Sequence, residues 1–301
     1  VLRAWIQASR PLAQANIAVP LIFGQALAYG TTGRFDWTMA VVIHVVGILD
    51  QLFIVYSNDV ADAEADAGNE SPTPFSGGSR VLVEGKLSRN ALGFAALVVG
   101  IAMVVIAVVA ALDWNRRHAP VFIALGFFLM WAYSFPPLRL SYRGEGEVLQ
   151  GLGVGIVLPV FAYYMQAGDL LSLPATALGA TFLLGYGGNV TTALPDFVAD
   201  ERANKRTLVV RLGELPARWV SLALLATACF FPFDTGPRLA TTVATIVAAP
   251  PLVLLLANIP AIGRANARDR SAVIRFVLLN GAAINLLLVA WSIAIVEGTP
   301  G

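Results

Sequence analysis

The sequence predicts an all-α integral membrane protein, a bundle of nine transmembrane helices around a central cavity in a single domain over residues 1–301. Three observations support this. Apolar residues make up 57% of the chain and charged residues only 13%, with a mean hydropathy of +0.72, whereas soluble domains carry about 25% charged residues. Apolar runs of about twenty residues, enough to cross roughly 30 Å of hydrocarbon, recur along the chain. Two acidic stretches stand directly at the ends of two such runs. One cysteine, Cys229, and two histidines exclude a disulfide framework and a Cys/His zinc site. The net charge of +1 identifies no partner, and nucleic acid is not expected among them.

The spans fall at about 11–29, 37–57, 91–112, 119–136, 148–167, 174–194, 216–233, 239–257 and 272–296. The first has the apolar core and the Ala26-Leu27-Ala28 end of a signal peptide, but Pro11, Pro20 and the many later spans favour a retained helix. The chain opens on Val1 rather than Met, so further residues can precede it. An N-terminus in the cytoplasm puts Arg3, Arg10, Arg80, Lys86, Arg89, Arg139, Arg143, Arg202, Lys205, Arg206, Arg211, Arg218, Arg264, Arg268, Arg270 and Arg275 inside. Only Arg34, Arg116, Arg117 and Arg238 remain outside. Cytoplasmic loops are the basic ones, so the bias supports this orientation, in the inner membrane if the source is bacterial.

The second span ends in Ser57-Asn58-Asp59-Val60-Ala61-Asp62-Ala63-Glu64-Ala65-Asp66. Residues three and four apart share a helix face, so Asn58, Asp62 and Asp66 align, Asp59 lies one position off, and Glu64 points away. Oxygen donors without Cys or His suit a hard ion such as Mg2+, which shares its shell with substrate phosphates. A solvated acidic loop is the simpler alternative. A calcium loop is rejected, because Gly68 falls one place late and Thr73 stands where the closing Glu belongs. The sixth span ends similarly in Asp196, Asp200 and Asn204 at four-residue spacing. Matching acidic ends four spans apart suggest an internal pseudo-repeat, about 11–136 and 148–257 plus a ninth helix, with the site between its halves.

Two further polar stretches fall on the same side. In Tyr133 to Glu147, Pro136 and Pro137 end the fourth span, and Arg139, Tyr142 and Arg143 either serve the charge bias alone or form a third wall. In Pro74 to Arg80, Gly77 and Gly78 free backbone N–H groups to approach phosphate, with Arg80 beside them. Facing carboxylate clusters repel unless divalent ions lie between them, and such ions bridge well to a diphosphate. Arg80, Lys86, Lys205 and Arg206 are placed to take up remaining phosphate charge. A site built at a membrane face suits a diphosphate on a lipid-soluble group, and an allylic polyprenyl diphosphate fits both ends.

These residues carry a resemblance. The first motif resembles the N-D-x-x-D-x-x-x-D signature of the UbiA family of intramembrane aromatic prenyltransferases, and Asp196 to Asp200 resembles its second, D-x-x-x-D. The likeness extends through Arg10-Pro11, Pro20, Gly24, Gly78-Ser79-Arg80, Tyr133, Tyr142-Arg143-Gly144 and Lys205-Arg206-Thr207-Leu208 to Arg211-Leu212-Gly213. The Lys-x-Thr-Leu and Tyr-Arg-Gly elements look most like the dihydroxynaphthoate (menaquinone) branch. The resemblance implies Mg2+ held by Asn58, Asp62, Asp196 and Asp200, with Asp59 and Asp66 as near ligands or behind them, stabilising diphosphate as it leaves. It also implies an aromatic, quinone-precursor-like acceptor attacking the allylic cation, sheltered by rings such as Tyr133, Phe135, Tyr142, Tyr163 and Tyr186.

Asp50 stands apart, because a carboxylate inside a span is costly. Eight residues before Asn58, it lies on the same helix face about 12 Å deeper. Either it binds or deprotonates the acceptor hydroxyl, or it is neutralised by protonation or bonded between helices. Two departures from the family pattern are Asn204, where Gly is common, and Pro195, which is expected to break the sixth span and re-aim Asp196. Two other functions share parts of this reading. An intramembrane terpene cyclase has the same ionisation site, and a transporter or lipid-binding protein also builds sites between repeats, although it places its ionisable groups at the midplane.

Overall fold

The computed structural model describes residues 1–299 except 70–71, 74, 76, 235–238 and 265–268. Pro74, Ser76, Arg238 and Arg268 therefore lie outside the described residues. Among the described residues the main elements are α-helices: α1 (Leu2–Ala8), α2 (Ala15–Thr32), α3 (Trp37–Ala67), α4 (Arg89–Asp113), α5 (Ala119–Ser134), α6 (Gly146–Leu152), α7 (Leu158–Ala167), α8 (Ala177–Ala193), α9 (Phe197–Arg202), α10 (Leu208–Leu212), α11 (Glu214–Ala228), α12 (Thr241–Leu256) and α13 (Arg270–Glu297). Among the described residues, seven helical segments are long and apolar enough to cross a membrane: Pro11–Thr32, Trp37–Ala67, Arg89–Asp113, Gly146–Ala167, Glu214–Phe233, Thr241–Ala261 and Arg270–Glu297. The other two expected spans are helical but shorter, α5 at 16 residues and α8 at 17. Pro136 and Pro137 follow α5, and Pro195 follows α8, where each ring ends the run. This is an integral membrane protein with many apolar side chains facing outward, including Val41, Phe94, Leu97 and Ile246.

Close helix crossings depend on missing side chains, as in membrane bundles generally. A Cβ on Gly24 of α2 would lie 2.2 Å from the Pro159 carbonyl oxygen of α7. One on Gly155 would lie 2.3 Å from the Thr181 carbonyl oxygen of α8. Between α6 and α7 the chain widens into a π turn, Gly153–Val157. Pro159 has no N–H to return to the carbonyl four residues back, and a π turn absorbs the mismatch. At one end of the bundle, Asp36 caps α3 through Thr38 and Met39 and joins Gln166, while Arg116 donates to the Met165 carbonyl. At the other end α1 and the segments 68–88, 135–145 and 194–213 gather into a cap, tied by Gln7 to Ser79, Asn69 to Asp196, and the Arg206 N–H to the Tyr142 carbonyl.

Candidate active site

Both acidic stretches meet in this cap. The first forms about the last three turns of α3, so its residues keep helical spacing. Asn58 Nδ2 donates to Asp62 Oδ2 at 3.1 Å, and the Tyr142 hydroxyl donates to Asp62 Oδ1 at 3.1 Å. The second stretch is re-aimed after α8 by a 3₁₀ turn over Leu194–Asp196, where Pro195 stands, before α9 resumes. Asp196 accepts from Asn69 Nδ2 at 2.7 Å and from the Gly77 N–H at 3.2 Å. Lys205 joins the two stretches, with Nζ 3.5 Å from Asp62 and 3.8 Å from Asp200. Asn204 before it has φ 54, a left-handed conformation that Asn and Gly adopt at least cost.

The electrostatics follow from burial of several like charges. The Asp200 carboxyl is pushed up to about 7 by burial; Lys205 opposes this, while Asp196, Asp62 and Asp66 add to it. Burial works to discharge Lys205, but Asp62 and Asp200 more than offset it and hold its pKa well above the ordinary lysine value. Tyr142 is pushed up to about 12 by burial and by Asp62, so it remains a hydrogen-bond donor. The Arg139 guanidinium lies over its ring, 3.6 Å from the centroid, with Lys205 at 5.4 Å.

The remaining expected residues divide. Asp66 lies against Gly78, where a Cβ would come within 1.9 Å of Asp66 Oδ2, so the Gly77-Gly78 turn, with φ 75 and 69, is required by close approach. Arg80 braces that turn by donating to the backbone oxygens of Asp66 and Asn69. Asp59 is taken up by other partners: it pairs with Arg10 and accepts from the Ser79 hydroxyl and N–H. Lys86 is outside the cluster, half-exposed and paired with Glu84 and Gln7. Arg143 donates to the Pro137 carbonyl at the surface, and the Arg206 side chain is exposed. Arg10, Ser79 and Asn69 were not singled out as site residues in the sequence; only Arg10-Pro11 and Ser79 carried any signal, as parts of the family likeness.

Two cavities lie beside this cluster, one lined by Asn58 and the other by the 78–80 turn that Asp59 and Asp66 contact. One, about 240 Å³, runs along α3 from Asn58 and Tyr133 past Ile54 and Asp50 to Phe122 and Phe161. The other, about 610 Å³, has Arg10, Ser79 and Arg80 at one end and Leu184, Ile284 and Leu288 of α8 and α13 beyond them. Gln150 and Val154 line both. Among the described residues no three carboxylates converge closely enough to hold an ion, and Lys205 lies 3.5 Å from Asp62 and 3.8 Å from Asp200. The donor set still suits a hard divalent cation: all its atoms are oxygens, and the Asp200 carboxyl, raised by burial and further by Asp196, Asp62 and Asp66, stands where added positive charge favours its ionised form.

Comparison with known proteins agrees with this geometry. Residues 17–287 match the model of the UbiA prenyltransferase family. The chain is 29% identical over 237 residues to 1,4-dihydroxy-2-naphthoate octaprenyltransferase of Escherichia coli, covering 74% of this chain and 73% of that protein. It is 27% identical over 230 residues to the enzyme of the same name from Mycobacterium leprae, with 73% of each covered. A UbiA homolog from Archaeoglobus fulgidus, solved bound to DMAPP and Mg2+, superimposes with a TM-score of 0.67 at 16% identity, over 98% of this chain and 99% of that one. This chain belongs to the UbiA prenyltransferase family.

Proposed function

We propose that this protein catalyses Mg2+-dependent transfer of an isoprenyl chain from an allylic polyprenyl diphosphate to an aromatic, quinone-precursor-like acceptor, with 1,4-dihydroxy-2-naphthoate first among those to test. The observation that carries the reading is the meeting of both acidic stretches at Lys205, beside a cavity lined by Asn58 and another lined by Arg10, Ser79 and Arg80. The curated relatives, named for a dihydroxynaphthoate acceptor, support it.

Asn58, Asp62, Asp66, Asp196 and Asp200 would hold Mg2+, which when bound supplies positive charge against the departing diphosphate. Asp59 acts behind them by fixing Arg10 and the Ser79 loop. Lys205, Arg10 and Arg80 supply cations for the phosphate oxygens, and Tyr142 donates its hydroxyl beside Asp62. Tyr133 and Tyr142 present ring faces near the ionising carbon, where a cation is favoured. Apolar walls keep water from quenching that cation before the acceptor reaches it. Helices α5 and α8 complete nine crossings as one domain of two related halves, and the acidic cap faces the cytoplasm, in the inner membrane if the source is bacterial, a reading that the arginine and lysine bias supports.

The test is a product assay with purified protein, Mg2+ and geranylgeranyl diphosphate, with and without dihydroxynaphthoate and 4-hydroxybenzoate. A prenylated aromatic product that depends on Mg2+ is expected. Cyclic hydrocarbon formed without acceptor overturns the assignment in favour of a cyclase.

A further inference from the structure

We propose that the smaller cavity receives the aromatic acceptor and that Asp50 is the specificity-determining residue that recognises its ring hydroxyl, an inference resting on the prenyl transfer proposed above. Asp50 lines this cavity on α3, about 12 Å from Asn58 along the helix. It has no hydrogen-bond or ion-pair partner among the described residues. A carboxyl in that position is costly unless it finds a donor.

The contents of the two cavities decide which ligand supplies the donor. A polyprenyl chain has only C–H groups, so packing it beside Asp50 leaves the carboxyl unsatisfied. The larger cavity suits that chain, with Arg10, Ser79 and Arg80 at one end for a diphosphate and apolar residues of α8 and α13 for hydrocarbon. The smaller cavity suits a flat hydroxylated ring: Phe122 and Phe161 wall it, Tyr133 and Asn58 close it toward the acidic cluster, and Asp50 is its one ionised-type side chain. Gly126 of α5 faces Asp50, since a Cβ there would sit 4.0 Å from Asp50 Oδ1. The missing side chain leaves room for a ring edge beside the carboxyl. The cavities meet at Gln150 and Val154, so a ring in one and an allylic carbon in the other come together below Asn58.

The experiment is steady-state kinetics of the full-length protein in lipid nanodiscs, with naphthoate acceptors whose ring hydroxyls are free or methylated. Wild type is expected to prefer the free hydroxyl. Asp50→Leu is expected to raise acceptor KM by about 10- to 100-fold, the value of a hydrogen bond to a charged group. Its preference over the methyl ether collapses, while donor KM serves as the internal reference. Asp50→Asn, which keeps a hydrogen-bonding side chain, retains most of the preference. Gly126→Leu fills the space opposite the carboxyl without changing Asp50, and is expected to raise acceptor KM alone. If neither Asp50 variant folds, Gly126→Leu decides. Acceptor KM and preference unchanged in the folded variants overturn the inference and leave the proposed transfer standing. A wild-type protein that prenylates no aromatic acceptor overturns both.

Discussion

Lys205 shows how a single side chain holds the site together. Its ammonium lies between Asp62 and Asp200, which belong to segments far apart in sequence. Lys205→Met removes a charge that the proposed mechanism uses on the donor, and we expect donor KM to rise about 10- to 100-fold with acceptor KM little changed. Initial rates at varied diphosphate concentration check this. Asn204 sets the direction of that lysine through its left-handed backbone. Asn204→Ala is expected to cost about 1–2 kcal/mol and Asn204→Gly much less, measured by thermal or denaturant unfolding in detergent. The acidic residues were legible in the sequence because helical spacing alone puts them on one face. Arg10 and Ser79 were not, because their contacts with Asp59 depend on how α1 and the 77–80 turn fold back over α3. Lys86 pairs instead with Glu84 and Gln7, since nearness in sequence does not fix the direction in which a side chain points.

Among the elements, the glycine-lined crossings position the cavities. Gly24 lets α2 approach α7, and both helices line the smaller cavity. Gly24→Val drives a branched side chain into the Pro159 backbone, and we expect destabilisation of at least about 1–3 kcal/mol, read as lost folded yield and a lower melting temperature. Gly93, with nothing within 4 Å of a Cβ, is the comparison: Gly93→Ala is expected to leave the protein as stable or more so. Helix positions were legible from apolar runs, and the end of the sixth span from Pro195. The π turn over Gly153–Val157 was not, because its sequence reads as uninterrupted apolar helix and only packing against α8 shows the widening.

Across the whole molecule, the central feature is that two stretches more than a hundred residues apart end at one face, where the proposed mechanism has them act together. Their shared side was legible from the distribution of Arg and Lys; the pairing of Asp62 with Asp200 through Lys205 required the fold. The most direct measurement is Mg2+-dependent release of diphosphate from an allylic donor by wild type, Asp62→Ala, Asp200→Ala and the double variant. Residues acting as one unit are non-additive, so either single substitution is expected to abolish most of the release and the double variant to be no worse. Wild-type release in either single variant, or losses that multiply in the double variant, would contradict a single site built from both stretches.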